Sequence, residues 1–332
     1  MPSRSVLGSG GVPSEVCCTL GRCRVASNSS LTAKEAMPRI NKWAIGCLML
    51  LASALAAAKV DGSGPELTVV DNAPVVPGGE RKLVWREEFN APRLDPQTWF
   101  LEEGDGSQYG IPGWGNRELQ WYLPQSARTE NGHLVLTARR QRHGDFRFTS
   151  ARINTRDRFA FRYGRVEARI RLPGGRGVWP AFWLMPQDSA YGPWPASGEI
   201  DILEARNLGA NGAMGGDNLV SGALHFGVAA PRPSNVSKTA EYRVPGDPTK
   251  TFHDYAIEWG PDEIRWYVDD VRYAAQDAWH SESAAHPAPF DRPFYVILNV
   301  AVGGWFPGPP APTTQFPVTM LVDYVRVYSG EP

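Results

Sequence analysis

The sequence predicts an all-β sandwich, and three observations carry that expectation. Apolar and polar residues alternate with a period of two at many places after residue 82, the mark of half-buried strands. Gly (34) and Pro (29) punctuate the chain at short intervals, which favours turns and short strands over helices. No stretch beyond the leader sustains a 3.6-residue apolar period. Short strands separated by Gly/Pro turns mean a sandwich or a barrel, and no internal repeat is visible.

The N-terminal quarter is a different kind of sequence. Residues 37–58 (MPRINKWAIGCLMLLASALAAA) place Arg39 and Lys42 ahead of an apolar run that ends in small residues, the order of a secretory signal peptide. A membrane anchor is the rival, but the run from Trp43 is short for a spanning helix of about 20 residues. Because a signal peptide normally starts the chain, Met37 is taken as the true start and residues 1–36 as an extension ahead of it. Residues 59–81 are rich in Gly, Pro and Asp and read as a linker or exposed lead-in. One domain is expected over residues 82–330, secreted after cleavage of the leader.

Within that domain the strands can be placed individually. In residues 165–172 (RVEARIRL), Val166, Ala168, Ile170 and Leu172 point one way, while Arg165, Glu167, Arg169 and Arg171 point the other. Tyr255, Ile257 and Trp259 share a side, a Gly-Pro-Asp-Glu turn follows, and Ile264, Trp266 and Val268 resume the pattern, which makes a hairpin. Residues 294–302 (FYVILNVAV) are apolar on both faces, as a central covered strand would be. Residues 320–328 (MLVDYVRVY) close the chain with another strand.

Charge and cysteine usage narrow the function. The formal net charge is -1, from 34 basic and 35 acidic side chains, so no field draws the chain to nucleic acid or an anionic membrane. Cys17, Cys18, Cys23 and Cys47 all precede the domain, which therefore holds no disulfide. Histidines are dispersed without metal-ligand spacing, and GxSxG and nucleotide-binding signatures are missing. A neutral partner is favoured, with no nucleotide, and a monomer is expected.

The most informative stretch is residues 197–206 (SGEIDILEAR), which holds Glu199, Asp201 and Glu204 within six positions. In a regular strand Glu199 and Asp201 share a face and Glu204 falls on the other. A β-bulge at Ile202-Leu203 would return Glu204 to the face of the other two, and bulges are common beside active sites. Crowded carboxylates repel one another unless a proton is held among them, and glycoside hydrolysis needs that condition. In a retaining mechanism one ionised carboxylate attacks the anomeric carbon while a second, with a raised pKa, protonates the leaving oxygen. A third carboxylate between them has a supporting role. The rival reading is a solvated acidic face or a calcium site, though a bulged strand flanked by Ile and Leu wraps an ion poorly.

These residues carry a family likeness. GEIDILE, preceded by VWPAFWLMP at residues 178–186, resembles glycoside hydrolase family 16 in its bulged form, and its laminarinase-type bacterial members in particular. EEFN at 87–90, GWGNRELQWY at 113–122, YGRVEARIRLP at 163–173, ALHFG at 223–227 and DYVRVY at 323–328 match in chain order, so the likeness covers about residues 83–329. It implies a β-jelly roll of two curved antiparallel sheets with a concave glycan-binding cleft. It also implies Glu199 as nucleophile, Glu204 as general acid/base and Asp201 as helper. The implied reaction is endo-hydrolysis of β-1,3-glucan or mixed-linkage β-1,3-1,4-glucan, with no cofactor needed for catalysis. A non-catalytic glucan-binding protein, or the same fold acting on lichenan or an agar-like galactan, is the alternative. One departure is GGWFPG at 303–308, where related enzymes more often read GGNWPG.

Candidate substrate contacts follow from the chemistry of sugars, whose flat C–H faces stack on aromatic platforms. Trp179 and Trp183 lead into the acidic strand and Trp114 precedes Glu118, so these three are either stacking platforms or core. Trp85, Trp259 and Trp266 follow strand alternation and fit the core. Asn116, Glu118 and Asn154 lie in family-matching blocks and either bond sugar hydroxyls or cap turns. Arg165 reaches either a hydroxyl, a catalytic carboxylate or solvent, and His225 either serves the site or is a buried structural group. By the same likeness a structural calcium ion would be held by Glu88, Gly132 and Asp323, unless Asp323 simply faces solvent.

Overall fold

The computed structural model describes residues 64–210, 216–229 and 234–330. The expected extension and signal peptide at 1–58 lie outside the described residues. The all-β expectation holds: the described residues form strands joined by turns and three short 3-10 segments, with no α-helix among them. Two large sheets, of nine and eight strands, enclose the core, and a small parallel pair (Gln120–Tyr122 with Phe148–Ser150) forms a third sheet bonded through side chains to the strand Phe294–Val302. The architecture is the jelly-roll sandwich implied by the family likeness.

Alternation explains why each sheet faces the other. Val166, Ala168 and Ile170 are fully buried, as are Ile257, Met320, Val322, Val325 and Val327 on the neighbouring strands of the eight-stranded sheet. Across from them, Phe182, Leu184, Ile200, Leu203, Leu224, Val296 and Leu298 of the nine-stranded sheet fill the other half of one continuous core. The 255–268 hairpin forms in the expected register, Trp259 opposite Ile264 and Tyr255 opposite Val268. Trp259 and Trp266 are buried and Trp85 stacks on Phe159 at a centroid distance of 4.3 Å, all in keeping with the sequence.

The strand Phe294–Val302 is buried at every position, as its two-faced apolar pattern predicts. One side meets the core; on the other Asn299 accepts the indole N–H of Trp183 and is bonded to the Tyr122 hydroxyl. The sheet runs from this strand to Val178–Pro186, then Glu199–Ala205, then Leu219–Val228, and ends at Ser234–Arg243, an edge strand exposed along most of its length.

The folded unit begins earlier than residue 82. Thr68–Asp71 pairs in parallel with Phe159–Arg162, Val75 is buried, and the Gly330 N–H bonds the Ala73 carbonyl. The surrounding Gly and Pro residues mask this short strand, which reads as linker from composition alone.

Candidate active site

The site is built on the bulge. Asp201 lies opposite Ala223 and Glu204 opposite Ser221, so Ile202 and Leu203 together face Gly222. The same shift shows on the other side, where Trp183 meets Asp201 and Ala181 meets Glu204. Side chains two apart on one strand share a face. Asp201 and Glu204 therefore point the same way as Trp183 and Ala181, away from the core. Glu199, opposite His225, completes the set. The extra residue costs nothing in burial, since both Ile202 and Leu203 stay in the core.

A bulge leaves a ladder group unpaired, and here it is put to use. The Asp201 carbonyl accepts the indole N–H of Trp266 at 2.8 Å, across the core from the opposite sheet. Gly222 makes room for that indole: a Cβ there would lie 2.3 Å from Trp266 Cδ1. The carboxylate strand is thus pinned from behind at the residue between the two glutamates.

Each outer glutamate holds an indole. Trp194 Nε1 donates to Glu199 Oε2 at 2.7 Å and Trp179 Nε1 donates to Glu204 Oε1 at 2.9 Å. His225 Nε2 stands 3.2 Å from Asp201 Oδ2, at ion-pair distance, while its Nδ1 meets the Asn235 side chain. Burial, reinforced by the charge of Asp201, raises the Glu199 pKa to about 8, against the pull of His225 and the Trp194 bond. Burial and then the charges of Asp201 and Glu199 raise Glu204 to about 8 as well. Burial works against a charge on His225, but Asp201, Glu199 and Glu204 outweigh it and hold its pKa near 10. At neutral pH the cluster therefore keeps protons that its members would shed in water.

The cluster carries a cost to stability with a defined sign. A carboxyl group raised from 4.5 to about 8 on folding opposes folding as pH climbs through that window, because the unfolded chain then binds fewer protons. Glu199→Gln or Glu204→Gln is expected to raise Tm by about 2–4 °C for each kcal/mol relieved, with the gain absent below pH 4.5 and largest above pH 8. Thermal unfolding across that range checks it; a gain that shrank with rising pH would contradict the charge argument.

The remaining expected residues divide. Trp179 and Trp183 are half-buried on the carboxylate face, and Asn154 shares the row of Trp183 through its pairing with Ile297. Asn154 is buried and donates to Glu102, so it organises the wall behind the site. Trp114 is also buried, packed between Tyr109 and Tyr122 with the Arg152 guanidinium over its ring, and offers no open face. Glu118 is enclosed by donors from Asn116, Gln120 and Tyr122, and burial raises its pKa. Asn116 and Glu118 thus shape a loop from within.

Arg165 lies elsewhere. It sits on the eight-stranded sheet, 2 % exposed, paired with Glu167, Glu258 and Asp270. Alternation gave its outward direction correctly but could not say from which sheet. Of the residues that the likeness assigned to calcium, Glu88 binds the Arg326 guanidinium through both carboxylate oxygens at 2.8 and 2.9 Å, and Asp323 lies 3.5 Å from Arg169.

Sequence reading missed Trp194, only five positions before Glu199, and Arg152, whose guanidinium lies 4.8 Å from the Trp183 ring centroid. Trp194 follows no strand alternation, and Arg152 comes from a three-residue strand too short to read. Beside Glu199 a recess of about 160 Å³ is lined by Arg156, Met185, Trp194, Gly198 and Tyr295.

A bulged strand that turns three carboxylates to one face is the arrangement that the family likeness implied; the indole bonded to each outer glutamate is an addition from the structure. The sequence model for "Glycosyl hydrolases family 16" matches residues 114–326. The chain belongs to glycosyl hydrolase family 16. Among family 16 relatives, the glucan endo-1,3-beta-glucosidase A1 of Niallia circulans is 40% identical over 267 residues; the match takes in 75% of this chain and 38% of that longer protein. The beta-glucanase of Rhodothermus marinus is 40% identical over 257 residues, or 74% of this chain and 85% of the relative. In three dimensions the endo-beta-1,3-glucanase of Pyrococcus furiosus superposes with a TM-score of 0.69 at 38% identity, over 77% of this chain and 97% of that one. The chain is therefore a glycoside hydrolase by family.

Proposed function

We propose that this family 16 enzyme cleaves internal β-1,3-glucosidic bonds of β-glucans, laminarin-like chains first and mixed-linkage β-1,3-1,4-glucan second, by double displacement. The observation that carries the proposal is the bulge, which turns Glu199, Asp201 and Glu204 onto one face between two indoles. Glu199 attacks the anomeric carbon and Glu204 protonates the departing oxygen, then deprotonates the incoming water. The charges divide unequally. His225 stands opposite Glu199 and beside Asp201, so its cation favours an ionised Glu199, while Glu204 lies further along the strand and keeps its proton. Asp201, tied at its carbonyl to Trp266, holds its position between the two. Trp179, Trp183 and Trp194 give the sugar rings apolar faces to stack on.

The enzyme acts as a secreted monomer on a polysaccharide too large to enter a cell, and needs no cofactor, nucleotide or nucleic acid. The test is incubation with laminarin, lichenan, agarose and carboxymethylcellulose. Release of oligosaccharides from laminarin, with lichenan cut more slowly, is expected. Proton NMR of fresh product is expected to show the β-anomer first. Initial α-anomer, or cleavage of agarose alone, would overturn the mechanism or the substrate respectively.

A further inference from the structure

Trp305 is 65% exposed, the most exposed large apolar side chain among the described residues. Its position is built. The Trp305 N–H bonds the Asn116 carbonyl at 2.9 Å, and Gly303 and Gly304 turn the chain through positive φ of 71° and 94°. A Cβ on Gly304 would lie 2.9 Å from the Asn116 carbonyl oxygen and 3.5 Å from Trp179, so the loop is pressed against the indole that bonds Glu204. Phe306, next along, packs against Trp179 at a centroid distance of 5.1 Å with the rings tilted by 54°, and carries the Arg206 guanidinium at 4.1 Å. Arg117, itself at a left-handed φ of 58°, places its guanidinium 3.8 Å from the Trp305 ring centroid.

One indole face is thus covered by a cation, yet the residue stays mostly in water, so the other face is open. A flat ring held this way, continuous with Phe306, Trp179 and Glu204, loses unfavourable hydration when the C–H face of a sugar covers it. Arg117 adds N–H donors for ring hydroxyls at the same spot. We infer that Trp305 and Arg117 form an additional sugar-binding platform at the Glu204 end of the site, engaging a glucose unit remote from the cleaved bond and favouring long chains over short ones. This rests on the β-glucan reading of the site.

The test compares wild type, Trp305→Ala, Trp305→Phe and Arg117→Ala on β-1,3-gluco-oligosaccharides of increasing length, with Tm measured for each. Losing one well-placed aromatic is expected to lower kcat/KM by about tenfold on the long oligosaccharides, mainly through KM. On the shortest substrate cleaved, the change should be under about twofold. Trp305→Phe should recover part of the loss, Arg117→Ala should show a smaller loss of the same kind, and Tm should hold. An equal loss at every length, or no loss at any length, would overturn the platform while leaving the β-glucan reading intact. Failure of the wild-type enzyme to cut any β-1,3-glucan would remove both.

Discussion

Glu199→Gln and Glu204→Gln are each expected to lower kcat on β-1,3-glucan by at least about 10³-fold, in line with the loss of a nucleophile or of a positioned acid. The amide is nearly isosteric, and its oxygen can still accept the indole N–H from Trp194 or Trp179, so the local geometry should survive. Circular dichroism and Tm serve as the control for folding. The two variants are further expected to differ from each other. An aryl glycoside with an acidic phenol needs no proton to depart, so its first chemical step should remain fast in Glu204→Gln and be lost in Glu199→Gln. Recovery in Glu199→Gln instead would exchange the two roles. Near-normal turnover of polysaccharide in either variant would remove that residue from the mechanism.

The second large effect lies behind the active strand. Trp266→Ala removes a fully packed indole and leaves the Asp201 carbonyl without its donor. Truncating a buried Trp costs about 3–5 kcal/mol, and at about 2–4 °C per kcal/mol for a domain of this size, Tm should fall by on the order of 10 °C. Gly222→Ala attacks the same contact from the other side, since its methyl group would meet Trp266 Cδ1 at 2.3 Å and the Tyr273 hydroxyl at 2.7 Å. Such overpacking costs about 1–3 kcal/mol and displaces either the indole or the strand. Both variants are expected to lose activity out of proportion to stability when assayed well below Tm, because Asp201 shifts with its carbonyl. Trp266→Phe, which keeps an aromatic ring but removes the N–H, should fall between wild type and Trp266→Ala. A Gly222→Ala enzyme with unchanged Tm and kcat would show that the bulge needs no support from the opposite sheet.

Much of this architecture could be read from residue order, and the failures share a cause. Alternation marks which side chains of a strand go together, and it located Val166, Ile257, Trp259 and Trp266 correctly. The bulge could be deduced because three acids on one short strand make chemical sense only if Glu204 is turned. Alternation says nothing of which sheet a strand joins, so Arg165 seemed near the carboxylates although it lies on the other sheet. Loop residues were harder still. Trp114 and Glu118 stand in a polar, Gly-rich stretch that suggests exposure, but Tyr122 and Gln120, which contact them, are tied to Asn299 and Val302 far along the chain and fold the stretch inward. Thr68–Asp71 escaped notice because a four-residue strand between Pro and Gly has no periodicity to detect.

The exposed border of the nine-stranded sheet also bears on how the protein behaves in bulk. Only one strand, Leu219–Val228, separates Ser234–Arg243 from the strand that carries the carboxylates, so any chain adding to this border would press close to the catalytic groups. Lys238 pairs with Leu224 on the side that faces the opposite sheet, yet it remains exposed. A neighbouring molecule that tried to extend the ladder would have to strip water from that ammonium group, and growth by strand addition is thereby discouraged. Replacing Lys238 with a branched aliphatic residue would leave the hydrolytic machinery unchanged while inviting the molecules to stack border to border.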